Sequence, residues 1–144
     1  MKKKNNLKTF SKKEAQKIIV IIKKDLNKKE LLESEKQLLL KFKKYLKQIK
    51  LECLIISKTN IKHSIGKRIE NYINYKISNY LSSCINNDNL CSIRSSNLEI
   101  IDKKYIKGTY HYRTINHRNK NVGALIFISP KDAILEQNKF IFKF

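Results

Sequence analysis

The residues most able to do chemistry lie between Lys103 and Lys120. Lys103, Lys104, Lys107, Arg113, Arg118 and Lys120 are cations, Tyr110, Tyr112 and His117 are rings among them, and no acidic residue occurs from Lys103 to Pro130. Ammonium groups attract phosphates without preferred direction, whereas guanidinium groups fork onto phosphates or stack on bases. Aromatic rings stack on unpaired bases, the mode that single-stranded RNA favours. The pattern therefore predicts phosphate contacts from Lys103, Lys104, Lys107 and Lys120, with Arg113 and Arg118 on phosphates or bases. Tyr110, Tyr112 and His117 are candidate stacking platforms. In a strand Tyr110 and Tyr112 share one face while His111 and Arg113 share the other. Cross-strand packing is the competing use of the two tyrosines, and an ordinary exposed polar position is the competing use of His111. Lys12 and Lys13 fall at a predicted helix N-terminus, whose free amides attract phosphate; two solvated lysines are the plain alternative.

The whole chain agrees with a polyanionic partner. Its 144 residues hold 32 Lys+Arg against 12 Asp+Glu, a formal charge of +20. Self-repulsion on that scale opposes compaction unless a partner neutralises it. Lysine dominates, the only arginines being Arg68, Arg94, Arg113 and Arg118. The abundance of Lys, Ile and Asn suggests an AT-rich genome, such as that of an endosymbiont or organelle. Cys53, Cys84 and Cys91 form no CxxC pair and read as reduced apolar thiols rather than metal ligands or a disulfide; no cofactor is expected. The longest aliphatic run, Ile18 to Ile22, is too short to cross a bilayer, and the Met1–Asn6 start has neither a secretory core nor a transit peptide's arginines. No membrane and no small-molecule substrate is expected.

One domain is expected over residues 7–129, with a basic tail at 1–6 and an extension at 130–144 in which Phe140, Ile141, Phe142 and Phe144 add a further strand. Leu7–Phe10 reads as a short edge strand. Ser11-Lys12-Lys13-Glu14 forms a capping box, with Phe10 and Ala15 placed for a hydrophobic staple. Ala15, Ile18, Ile19 and Ile22 then make one helical stripe. Asn27 and Ser34 open further helix starts, and Leu38, Phe42, Tyr45, Leu46 and Ile49 recur at helical spacing on a lysine-rich helix. Residues 25–60 thus read as a helical insertion, with Leu51–Ser57 either a helix end or a short strand. Ile61, Ile65, Ile69, Ile73, Ile77, Leu81 and Ile85 repeat every fourth residue and predict a long helix over 62–85. On that reading Ile73 is core, and aspartate there would unfold the domain. Asn86–Ser96 is turn-rich. The apolar runs Leu98–Ile106 and Ala124–Ile128 then form the two strands of a long β-hairpin with the basic segment at its far end. Pro130 stops the second strand. The fold class is α+β: helices packed on a small antiparallel sheet with a protruding β-hairpin.

Several of these residues stand in an order that resembles the bacterial-type large-subunit ribosomal protein family known as L twenty-two. Phe10-Ser11-Lys12-Lys13 with Ile18, Ile19 and Ile22 is similar to its opening. Leu81-Ser82-Ser83-Cys84-Ile85-Asn86-Asn87 is similar to the end of its main helix. Asn97, Leu98, Ile100, Gly108 and Arg113 fall at the family's spacing, and Leu125-Ile126-Phe127-Ile128 matches its last strand. Lys12 and Thr109 stand where the family has prolines, and Asn116-His117-Arg118-Asn119-Lys120-Asn121 replaces its usual tip. The resemblance implies a non-enzymatic protein bound to large-subunit rRNA and neighbouring ribosomal proteins, with its hairpin directed into the peptide exit tunnel. It would work in the ribosome of a plastid, apicoplast or mitochondrion if organelle-encoded, and otherwise of a bacterial cytoplasm. Two other classes remain open. His111, Asn116, His117 and Asn119 are loosely similar to a His-Asn-His nuclease, for which Asp102 is the nearby carboxylate. A free-standing RNA- or DNA-binding protein is the other.

Overall fold

The computed structural model describes residues 10–86 and 93–129. Helices α1 (Lys12–Leu26) and α2 (Glu33–Gln48) are followed by strands β1 (Glu52–Ser57) and β2 (Ile61–Ile65). A short 3-10 turn at Glu70–Tyr72, helix α3 (Asn79–Asn86) and strands β3 (Ile93–Ile101), β4 (Lys104–His117) and β5 (Lys120–Ser129) complete the described residues. The five strands form one antiparallel sheet in the order β2-β1-β5-β4-β3, so the α+β class holds. The expected basic tail, the edge strand at 7–9, the turn at 87–92 and the C-terminal extension lie outside the described residues.

Alternation along the strands builds two cores. Cys53, Ile55, Leu125 and Phe127 face α1 and α2, where Ile18, Ile22, Phe42 and Leu46 meet them. Leu54, Ile56, Ile126 and Ile128 face the opposite way, toward Ile69, Ile77, Leu81 and Ile85. The Ser11 box forms as expected: Ser11 Oγ accepts from Glu14 N, and Glu14 Oε1 accepts from Ser11 N, both at 3.0 Å. Phe10 is buried and stacks with Tyr45. Asn27 closes α1 rather than opening a helix, its side-chain amide donating to Lys23 O. Helix α2 starts at Glu33, close to the expected break. Residues 25–60 supply α2 and also β1, which settles Leu51–Ser57 as mainly strand.

The long helix over 62–85 is not formed. Ile61 and Ile65 belong to β2, and a register shift between Ile55 and Ile56 pairs Ile55 with His63 but Ile56 with Ile61. The bulge reverses the strand's faces, so Ile61 joins one core and Ile65 the other. Gly66 at φ 124° and Asn74 at φ 72° interrupt any continuous helix over 62–85. Ile73 is 44% exposed, so a charge there leaves the core intact.

The hairpin does not protrude either. Leu98–Ile106 is two strands folded at Asp102-Lys103, with Ile101 opposite Lys104. Strand β4 pairs with β5 from Thr109↔Ser129 to His117↔Lys120. Strand β1 covers the other edge of β5 as far as Ser57↔Gly123. Only residues 116–122 reach past that point, and there Asn121 donates to Ile85 O at 3.0 Å.

A polar clasp joins α1, α2 and β2. His63 Nε2 lies 2.7 Å from Asp25 Oδ2, and Lys43 Nζ lies 3.0 Å from His63 Nδ1. Both contacts are satisfied when His63 is neutral with its proton on Nε2, leaving Nδ1 to accept from the Lys43 ammonium. Burial pushes the His63 pKa below the ordinary imidazole range; Asp25 opposes this, and Lys43 and Lys62 reinforce it. Folding therefore favours the neutral ring, and its contribution is complete above the unfolded imidazole value of ~6.5 and lost as pH falls below it. The thermal midpoint is expected to drop between pH 7 and 5.5, above the range where carboxylates titrate. His63→Gln should flatten that drop, the remainder coming from His111, which burial shifts the same way. A wild-type midpoint constant over this interval would contradict the clasp.

Candidate nucleic-acid interface

The sequence-predicted residues do not share one surface. Tyr110 and Tyr112 are 1% and 6% exposed. Their rings stack on each other at 6.3 Å within the α3-side core, so they offer no face to a base. The packing role wins because the period-2 alternation that pairs them also turns them inward. Burial pushes the Tyr110 phenol up to about 12. Arg113 and His111 are half-buried on the opposite face, opposite Leu125 and Phe127, and desolvation lowers the pKa of both.

The remaining predicted residues are at the surface but separated. Lys12 and Lys13 are exposed at the start of α1. Lys103, Lys104 and Lys107 are exposed around the β3–β4 turn. Close to Lys107, Arg68 holds Glu52 through Nε at 2.7 Å and through Nη2, and donates from Nη1 to Lys107 O at 2.9 Å. Arg68 is thus a structural tie among β1, β4 and the segment after β2. A cleft of about 690 Å³ beside it is rimmed by Lys47, Lys50, Lys67 and Arg68, with Glu52 and Glu70 among them. Those carboxylates weaken its appeal to an anion.

His117, Arg118 and Lys120 lie at the other end of the sheet. Arg118 and Asn119 form the two-residue β4–β5 loop with φ of 52° and 64°, the doubly left-handed geometry of a type I′ hairpin. Beside this tip is a cleft of about 490 Å³ lined by Leu26, Asn27, Lys28, Ser57, Lys58, Thr59, Asn60, Lys62, Asn74, Asn121 and Val122. Among the described residues three lysines and four asparagines line it, and no carboxylate does. Ser57 Oγ accepts from Thr59 N and Asn60 N, shaping the β1–β2 turn. Asn60 Nδ2 donates to Asn74 O at 3.2 Å, and Asn74 N donates to Ile61 O at 2.8 Å, holding the 73–76 loop against β2. That loop carries Tyr75, 53% exposed, and exposed Lys76, which bridges to Asn60.

Sequence reasoning missed Lys28, Lys58, Lys62, Asn74, Tyr75 and Lys76. Placing 62–85 in one helix conceals the 73–76 loop that carries Asn74, Tyr75 and Lys76. The polar Lys58-Thr59-Asn60 between apolar runs is the signal for the β1–β2 turn, which carries Lys58.

Four of the described carboxylates are occupied elsewhere. Glu14 pairs with Lys41 at 2.5 Å, Glu35 with Lys24 at 2.6 Å, Asp25 with His63 and Glu52 with Arg68. The Lys41 and Lys24 ammonium groups hold the Glu14 and Glu35 carboxyls below the usual carboxylate range. The nuclease residues are not brought together: Asp102 lies in the turn before β4 and His117 at the far end of that 14-residue strand, more than about 40 Å away along the chain. Among the described residues no three His, Cys, Asp or Glu side chains cluster as metal ligands, and no helix is long and apolar enough to cross a membrane. Neither a family model nor a curated protein sequence matches the chain.

Proposed function

We propose that this chain is a non-enzymatic RNA-binding protein of a ribonucleoprotein particle, and that the particle is the large ribosomal subunit. The supporting observation is the division of charge. Glu14, Asp25, Glu35 and Glu52 are consumed in contacts within the fold, while Lys28, Lys58 and Arg118 stand exposed around a cleft that no described carboxylate lines. Such a surface neutralises phosphates and releases their counterions. The assignment to large-subunit rRNA rests on the sequence resemblance. With β4 and β5 paired into the sheet, the protein would dock its cationic end on rRNA without sending a finger into the tunnel.

Purified chain mixed with salt-stripped large subunits should co-sediment with them at low salt and leave them at high salt. Failure to co-sediment, with structured RNA still bound, would favour the free-standing RNA-binding reading, which the short tip at 116–122 also suits. Failure to bind any RNA at low salt would end both.

A further inference from the structure

We infer that the cleft between the α1 C-terminus, the β1–β2 turn and the β4–β5 tip is a pocket for one unpaired RNA nucleotide. The inference rests on the RNA-binding reading and names what this end of the sheet selects. Its cations and its amides are separately available. Lys28, Lys58 and Lys62 line the cleft, and none forms an ion pair among the described residues. The Asn121 side chain is spent within the fold, donating to Ile85 O and accepting from Gly123 N. Asn74 differs: its backbone makes the structural bonds, and its side-chain amide remains available as donor and acceptor. Asn60 Oδ1 likewise has no partner among the described residues, where only the Nδ2 of that amide is used.

An amide presenting both a donor and an acceptor matches the edge of a base, as the Asn contacts to adenine illustrate. Three ammonium groups match the phosphates on either side. About 490 Å³ lies in the range of small-ligand pockets and admits a nucleotide, not a double helix. Tyr75, beside Asn74 and exposed, offers its ring to a base flanking the one inserted, and the Tyr72 ring at 5.9 Å backs it. Specific RNA recognition works on splayed-out bases of this kind, because the deep major groove of a paired stem is closed to side chains.

The test compares two RNA stems of equal length and charge, one fully paired and one carrying a single-nucleotide bulge, by titration with the full chain at fixed salt. The bulged stem should bind about tenfold tighter, the gain that one base contact supplies. Asn74→Gly removes the amide but keeps the left-handed backbone at φ 72°. It should erase the preference while leaving affinity for the paired stem within about twofold of wild type. Equal binding of both stems by the wild type, or a preference that survives Asn74→Gly, would overturn the pocket and leave RNA binding standing. Absence of binding to either stem at low salt would overturn pocket and function together. AMP binding as tightly as the bulged stem would make a free nucleotide the occupant and overturn the RNA assignment.

Discussion

Affinity of the intact chain for large-subunit RNA is expected to fall about a thousandfold when monovalent salt rises from roughly 50 to 200 mM, the loss that follows from neutralising about six phosphates. Lys28, Lys58, Lys62, Lys76, Arg118 and Lys120 surround one end of the sheet, and each can meet a phosphate. Counterion release makes the plot of log affinity against log salt linear, with a slope set by the number of phosphates met. Replacing Lys58 and Lys76 with alanine and Arg118 with glycine should reduce the slope by about one for each residue. Glycine suits position 118 because the native φ is 52°, so charge is removed without disturbing the turn. Lys12→Ala with Lys13→Ala is the comparison, at the far end of the 15-residue α1, about 20 Å from the cleft. Filter binding over a salt series checks the expectation. A triple variant with wild-type slope would remove this end of the sheet from the interface.

The parts of the fold legible in the sequence were those fixed by neighbours along the chain. The Ser11–Glu14 box is closed by residues three apart, and the Ala15–Ile22 stripe needs only helical geometry to face a core. Turns were another matter. The chain has three glycines and one proline, so left-handed positions that glycine would usually mark are held by Lys28, Lys50, Asn74, Lys103, Arg118 and Asn119. Lys103 in such a turn made Leu98–Ile106 look like one strand. The isoleucine spacing from 61 to 85 misled for a related reason. A period of four satisfies a helix and a strand alike, and a bulge at Lys62 that no local residue advertises turned Ile61 and Ile65 to opposite cores. The basic segment does end in a hairpin turn, at Arg118-Asn119, but the strand that reaches it starts at Lys104, and its cations do not share one surface. The position of β4 between β3 and β5, with Ile69, Ile77 and Leu81 packed in the same core, is a long-range fact, and Tyr110 and Tyr112 lie inside that core.

That long-range pairing carries the largest expected stability effect, at Gly123. This residue sits on β5 with Ser57 of β1 on one side and Ile115 of β4 on the other. A methyl group added there would lie 2.1 Å from Ile56 O and 2.9 Å from Leu26 Cδ1. The leucine can rotate away, but the carbonyl belongs to the β1 backbone in the sheet and moves only if β1 separates from β5. Gly123→Ala should therefore cost about 3 kcal/mol, the upper part of the range for overpacking a core, and lower the thermal midpoint by on the order of 10 °C. The half-buried neighbour Val122 provides the control. Val122→Ala removes two methyl groups without meeting backbone and should cost about 1 kcal/mol. A Gly123→Ala protein melting within about 2 °C of wild type would mean that the β1–β5 seam is looser than described. Strand β5 joins the β2–β1 pair to β4 and β3, so strain at Gly123 acts where the two parts of the sheet meet. Ser57 and Val122 line the cleft on either side of that seam, so the same substitution should also widen the pocket and weaken the preference for a bulged stem before the domain unfolds.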